Sequence, residues 1–305
     1  MTRTNTITLA VAGFVAFAGV ADASLVLSLD ARNTTAGQWD DLSGNNSPFT
    51  PNSSFAGGAG IGDVNAGSAP TLATVGVGQV YDFNIDSTGP DFFASTVANN
   101  NNFDFDTAKG TGANPFSVVI YAAAMGSTDG TINKGRNESG GNWFADVQNN
   151  DAAELVFQPD NGGNRSYRRF KGPVNNSDEN FHLYVFHHDG SGDNAGTSLY
   201  YDGSMTSGAS ENPIDGLNVS ILNDVELHIG AMENFGSVND WDGLIQFVEI
   251  YSGTTIGNNL GSDMSPAAYS QLRFGNLGAT VIPEPGTLAL LGLGGLMVLL
   301  RRRTK

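Results

Sequence analysis

The sequence predicts an all-β chain folded as an antiparallel β-sandwich or jelly roll, and three observations carry that prediction. Apolar and polar residues alternate over short stretches, as in Val225–Ile229, where Val225, Leu227 and Ile229 share one face and Glu226 and His228 the other. These stretches are joined by runs of Gly, Asn, Asp, Ser and Pro, the residues that tolerate positive φ or hydrogen-bond their own backbone. Eight or more such segments follow one another with no helical pattern between them, the signature of antiparallel rather than parallel pairing.

Taken in order, the expected strands are Ser24–Asp30, Pro115–Ala123, Trp143–Val147, Glu154–Phe157, Phe181–His188, Ser198–Asp202, Val225–Ile229 and Leu244–Tyr251. All are short and rich in β-branched or aromatic residues, which suit a pleated, half-buried surface. Residues 99–102, four consecutive asparagines, read as a loop, and the Gly/Ser-rich stretch from Pro51 to Pro70 reads as a loop or as a flap covering the sandwich. One short helix is expected at Ser265–Arg273, with Ser265 as N-cap, Pro266 at the first helical position and Gly275 just past the end. The 40 glycines have no period of three, which excludes collagen.

Both ends are apolar. Met1–Thr8 carries one arginine, Leu9–Val20 is a run of small and apolar residues, and Ala21-Asp22-Ala23 is an A-x-A site. That layout is a secretory signal peptide, with a short signal helix and cleavage after Ala23. At the other end Pro283-Glu284-Pro285 precedes an apolar run, Thr287–Leu300, and then Arg301, Arg302 and Arg303. At 1.5 Å per residue the run is about 21 Å long, a short transmembrane helix with basic residues on the inner side. The expected organisation is residues 1–23 signal, 24–278 sandwich domain and 279–305 sorting or anchor segment. Between the ends there is no apolar run of membrane length, which predicts a soluble body.

Composition narrows the function classes. The chain has 14 basic and 31 acidic residues, a net charge of −17. With both ends removed the body stands near −20, which repels nucleic acid and anionic lipid and suits solubility or cation binding. Cysteine is absent. No disulfide can staple this exported chain, so its stability must come from a large apolar core. Four histidines and no cysteine leave little for a structural zinc site.

Three passages then resemble the laminin-G-like branch of the concanavalin A-like lectin and glucanase superfamily. Leu27–Thr50 is similar to its opening strand and "W-x-D-L-S-G-N" loop; Phe181–Gly190 with Ser198–Ser204 is similar to its paired strands ending in "Y-x-D-G". Leu227–Ile256 resembles its "I-G … F-x-G-x-I-x-x-v-x-I-Y" hairpin, although Gln246 or Phe247 stands where the family often has Asp, and Asn180-Phe181-His182 where it has "W-H-H". The tail is similar to the PEP-CTERM sorting signal of exported bacterial proteins. That resemblance implies recognition and cleavage by an exosortase-type enzyme, transient residence in the membrane, and association with extracellular polysaccharide at the cell surface or in its matrix.

Candidate chemistry is sparse. The glucanase pattern E-x-D-x-x-E begins at none of Glu138, Glu154, Glu179, Glu211, Glu226, Glu233, Glu249 or Glu284, so glycoside hydrolysis by that route is not expected. Asp189-Gly-Ser-Gly-Asp193-Asn offers oxygens at alternate positions for Ca²⁺, without the sixth-position Gly or twelfth-position Glu of an EF-hand, and Asp240 with Asp242 offers a second such loop. The rival reading of both is a polar turn. Trp241, between those two acids, suits stacking on a sugar or packing in the core. Strand alternation places His182 and His188 on one face and His187 on the other, so they do not form a ligand pair. Arg165, Arg168, Arg169 and Lys171 make the one basic cluster, a contact for acidic polysaccharide or a solvated strand face. No hydrolase elbow, zincin helix or phosphate loop is present. The expectation is an exported, non-enzymatic laminin-G-like protein that binds or sits among extracellular glycans. A glycan-cleaving enzyme and a purely structural surface protein are the alternatives.

Overall fold

The computed structural model describes residues 24–35, 37–51, 54–55, 64–65, 69–86, 89–95, 102–105, 114–126, 130–134, 142–158, 166–171, 174–190, 196–206, 209–212, 226–234, 237–257 and 263–279. The expected signal helix and the expected transmembrane helix lie outside them. Among the described residues no helix is long and apolar enough to cross a membrane.

In chain order the strands are β1 (Ser24–Thr35), β2 (Gln38–Asp41), β3 (Thr50–Pro51), β4 (Ser54–Phe55), β5 (Val64–Asn65), β6 (Thr71–Val75), β7 (Gly78–Phe83), β8 (Ile85–Asp86), β9 (Gly89–Pro90), β10 (Phe93–Ala94), β11 (Phe116–Ala124), β12 (Ile132–Lys134) and β13 (Asn142–Gln148). They continue with β14 (Ala152–Gln158), β15 (Ser166–Lys171), β16 (His182–His188), β17 (Thr197–Tyr201), β18 (Ser204–Met205), β19 (Ala209–Asn212), β20 (Leu227–Ile229), β21 (Ala231–Asn234), β22 (Ser237–Asp240), β23 (Gly243–Ser252), β24 (Ile256–Gly257) and β25 (Asp263–Met264), before helix α1 (Pro266–Ala279). One sheet runs β18-β17-β16-β11-β23-β1-β2, with the β6–β7 hairpin added along β23; the other runs β19-β15-β14-β13-β12-β20-β10-β3. Every described pairing is antiparallel, as the alternation predicts.

The sheets face each other across one apolar layer. Val118 and Ile120 of β11, Phe186 of β16 and Ile250 of β23 meet Trp143, Val147, Leu155 and Phe157 of the other sheet, with Trp39, Phe49 and Phe93 closing one flank. Central β11 is buried on both faces, because α1 and its neighbours cover the outside. There Val119, Leu183, Val185 and Phe247 pack with Tyr269 and Leu277 of the helix.

Two β-bulges re-aim side chains. In β1 the register against β23 shifts between Leu25 and Leu27, so Leu25 joins the outer cluster while Leu27 enters the core. In β23 it shifts opposite Tyr121 and Ala122, and Gln246 reaches sideways to donate to Val77 O at 2.6 Å. That amide fills the place where the family resemblance leads one to look for an acid.

The helix departs from expectation at its end. Ser265 caps it, its Oγ accepting from Ala268 N at 3.2 Å, and Pro266 takes the first position. Gly275 does not stop it, and the helix continues to Ala279. Burying Leu277 in the outer cluster outweighs the roughly 1 kcal/mol that a mid-helix glycine costs.

Candidate functional site

At the end of the sandwich where β11 begins and β23 ends, a cleft of about 410 Å³ opens to solvent. Its walls offer carbon surface from Val26, Phe105 and Pro115 and polar groups from Asn102, Asp104, Asn114, Ser252 and Thr254. This size, with a few converging polar groups over an apolar lining, is typical of small-ligand sites.

The loop after β2 braces one wall of the cleft through its bonds to Val26 and Asn102, and Asp41 organises it. Its Oδ1 accepts from Ser28 N and Ser43 N, both at 2.9 Å, and its Oδ2 from Ser43 Oγ at 2.7 Å, Asn46 N at 2.9 Å and Asn46 Nδ2 at 2.8 Å. Asn45 and Asn46 then stitch the loop to the bulged start of β1, donating to Leu25 O and Val26 O. Asn102 spans to the same loop, donating to Asn46 Oδ1 at 2.8 Å. The Asp-Leu-Ser-Gly-Asn-Asn run is therefore a self-satisfied turn that braces the cleft wall, since a carboxylate accepting several N–H groups replaces a strand ladder locally.

The floor is set by Phe103, Asp104 and Phe105. Trp143 Nε1 donates to Phe103 O at 3.0 Å, and Phe105 stacks on Phe116 with centroids 4.5 Å apart. Asp104 Oδ1 lies 3.0 Å from Lys134 Nζ, a lysine side chain only 1% exposed. The cleft carboxylate is thus matched by a buried cation behind it.

The histidines divide as alternation predicts. His188 faces the core layer against Phe157, its Nδ1 accepting from Gly190 N at 3.0 Å. His187 lies on the opposite face beside Ser117 Oγ at 2.9 Å, and burial, then the neighbouring His188, push it down to about 4. His182 sits at the far end of the sandwich from the cleft. Burial alone would lower it, but its ring N–H groups donate to Asp202 and Asp178, which outweighs that and raises it above its usual value.

A second polar array lies on the outer face of the other sheet. Asp146 and Glu154 stand opposite each other on β13 and β14, with Gln148 Nε2 3.3 Å from Asp146 Oδ2 and 3.4 Å from Glu154 Oε1. Asp146 Oδ1 accepts from Gly130 N and Thr131 N, and Glu154 Oε2 from Arg169 Nε at 2.6 Å. Both acids are buried and bonded within the protein. This pair escaped the sequence search because its members lie on two strands; the turn chemistry at Asn149-Asn150-Asp151 between two alternating runs was the signal that they face each other.

The expected site residues scatter. Trp241 is fully buried, donates Nε1 to Val147 O at 2.7 Å and meets Phe83 edge-on at 5.9 Å, so no ring face is open to a sugar. Of its two expected roles it takes core packing, held by that indole hydrogen bond and the Phe83 contact. Asp189 is exposed in the turn after β16, near the cleft end, whereas Asp242 is at the opposite end of β11, about 27 Å away for nine strand residues. The two expected Ca²⁺ loops therefore do not combine. The side chain of Asp240, and Asp193 altogether, lie outside the described residues; among the described residues no group of three or more His, Asp or Glu is arranged to hold a metal ion. Arg169 of the expected basic cluster is committed to Glu154, and the side chains of Arg165, Arg168 and Lys171 lie outside the described residues. So do Ala23, Pro283, Glu284, Pro285, Arg301, Arg302 and Arg303.

No curated protein matches the chain in sequence. Among solved structures it is similar to domain 4 of AbnA, a GH43 extracellular arabinanase from Geobacillus stearothermophilus, in complex with arabinotriose, at 16% identity and TM-score 0.46 over 82% of this chain and 98% of that one. It is also similar to the Ruminococcus gnavus IT-sialidase CBM40, at 11% identity and TM-score 0.36 over 45% and 76%. A third similarity is to HCR/D-Sa-GBL1/C, at 12% identity and TM-score 0.45 over 83% and 52%. Residues 281–303 match the PEP-CTERM protein-sorting motif, so the chain carries at its C-terminus the mark of an exported protein held in the membrane before exosortase processing.

Proposed function

We propose that this protein is a non-enzymatic, laminin-G-like sandwich that binds an uncharged extracellular glycan in its end cleft. Residues 1–23 act as its signal peptide, residues 24–278 form the body, and residues 279–305 hold it in the membrane until the chain is cut near Pro283-Glu284-Pro285. It then joins polysaccharide at the cell surface or in the surrounding matrix.

The open cleft carries this reading. Sugars present hydroxyl groups that both donate and accept, and apolar C–H faces; amides, hydroxyls and one carboxyl over Val26, Phe105 and Pro115 answer both. With Asp104 balanced by Lys134, the side chains lining the cleft bring no unbalanced charge. The chain's charge of −17 meanwhile repels acidic polysaccharide. The Asp146–Glu154 pair supports the non-enzymatic reading, since its oxygens are buried and bonded to Gln148, Arg169 and the 130–131 backbone.

The test is calorimetric titration of the full chain with neutral, amino-sugar and uronate oligosaccharides, repeated with Asn114→Ala and Thr254→Ala. Binding of a neutral class is expected, weakened by each variant about 2–10-fold, the worth of one net hydrogen bond. Preferential uronate binding, or affinity indifferent to both variants, would overturn the assignment.

A further inference from the structure

Lys134 and Asp104 present an unusual pair for an exported chain without cysteine. Lys134 ends β12, directly opposite Trp143 and Leu227 on the neighbouring strands, with Ile132 of the same strand in the core. Its ammonium therefore sits at the edge of the apolar layer, 3.0 Å from Asp104 Oδ1. Asp104 is held between Phe103 and Phe105, which are 0% and 4% exposed, so neither partner is placed by a mobile surface side chain.

A buried lysine amine and a carboxyl group held in contact at the cleft wall are the two partners of a condensation. Fixed contact replaces a bimolecular encounter by an intramolecular one. We propose that Lys134 and Asp104 become joined by an intramolecular amide bond. A proton passes from the ammonium to the carboxylate, leaving an amine and a carboxylic acid. The Nζ lone pair attacks Asp104 Cγ, the new C–N bond forms, and the tetrahedral centre expels its hydroxyl as water together with a proton from Nζ. Nothing is oxidised or reduced, and the products are one amide and one water.

Such a bond ties the 102–105 segment under the cleft to the second sheet, closing a loop that a disulfide would close in other exported proteins. It leaves one Asp104 oxygen in the cleft wall, so it stands or falls independently of the glycan reading.

The experiment is peptide mass spectrometry of the full chain, denatured and digested with trypsin and a second protease. An amidated lysine resists trypsin. The expected result is a branched peptide joining the Asp104 and Lys134 segments, lighter than the two linear peptides by one water. Asp104→Ala should abolish the branch and restore cleavage after Lys134. Asp104→Asn should give the same branch by releasing ammonia. Recovery of both wild-type segments as linear peptides, with cleavage after Lys134, would show an ion pair only and overturn the proposal.

Discussion

His182 is gripped through both ring nitrogens by two carboxylates, Nδ1 at 2.7 Å from Asp202 Oδ2 and Nε2 at 3.0 Å from Asp178 Oδ1. Tyr201 stacks on its ring at 4.8 Å, and Tyr184 meets it edge-on. Asp202 also accepts from Leu183 N, and Asp151 secures the adjoining loop through Ser177 N. Because the folded pKa lies above the ordinary 6.5, the clamp stabilises fully below that value and is lost as pH rises through the folded one. His182→Gln should therefore cost on the order of 1–3 kcal/mol at about pH 5.5 and progressively less toward pH 9, read from thermal midpoints of both proteins. A gap independent of pH would mean that the imidazole is held without its charge.

Asp41 is the keystone of the loop after β2. Asp41→Ala strands the amides of Ser28, Ser43 and Asn46, and should destabilise by about 2–4 kcal/mol. Because that loop anchors Asn102, glycan affinity in the cleft should fall as well. Chemical denaturation and ligand titration of one preparation check both effects; loss of stability with unchanged affinity would separate the loop from the site.

Gly230 has φ +97°, and a Cβ there would strike the Phe83 ring and sit 2.7 Å from Asp91 O. The glycine lets the chain turn from β20 into β21 directly beneath Phe83, where no side chain fits. Gly230→Ala should destabilise by on the order of 2–5 kcal/mol in denaturant melts, and a neutral result would contradict this packing.

Gly275 is the opposite case. It lies inside α1, its φ is not positive, and a Cβ would meet nothing within 4 Å. Gly275→Ala should therefore stabilise by about 0.5–1 kcal/mol, visible as a raised denaturation midpoint.

Local pattern made much of this legible. The Tyr201-Asp202-Gly203-Ser204 run reads as a two-residue hairpin turn, and the structure has Asp202 at φ 48° and Gly203 at φ 80° with Tyr201 opposite Ser204. The positions of His182, His187 and His188 followed from alternation alone. For Trp241 the residues leave sugar stacking and core packing both open, and burial against Phe83 and Val147 decides for packing. The end of α1 was misjudged because Gly275 is a local stop signal, whereas Leu277 finds its partners on strands far away in sequence.

From residues alone came the all-β class, the antiparallel pairing, the turns and the sorting motif at 281–303, because each is written within a few neighbouring positions. Which loops meet was settled only by folding. Asn102 reaches Asn46 across 56 positions, Gln246 reaches Val77 across 169, and Asp104, outside both sheets, meets Lys134 of β12. Alternation with period two assigns a side chain to a face and carries no information on strand order or register. The cleft exists because β1, β11 and β23 end together, and that coincidence is a property of the sheet and of no single stretch of chain.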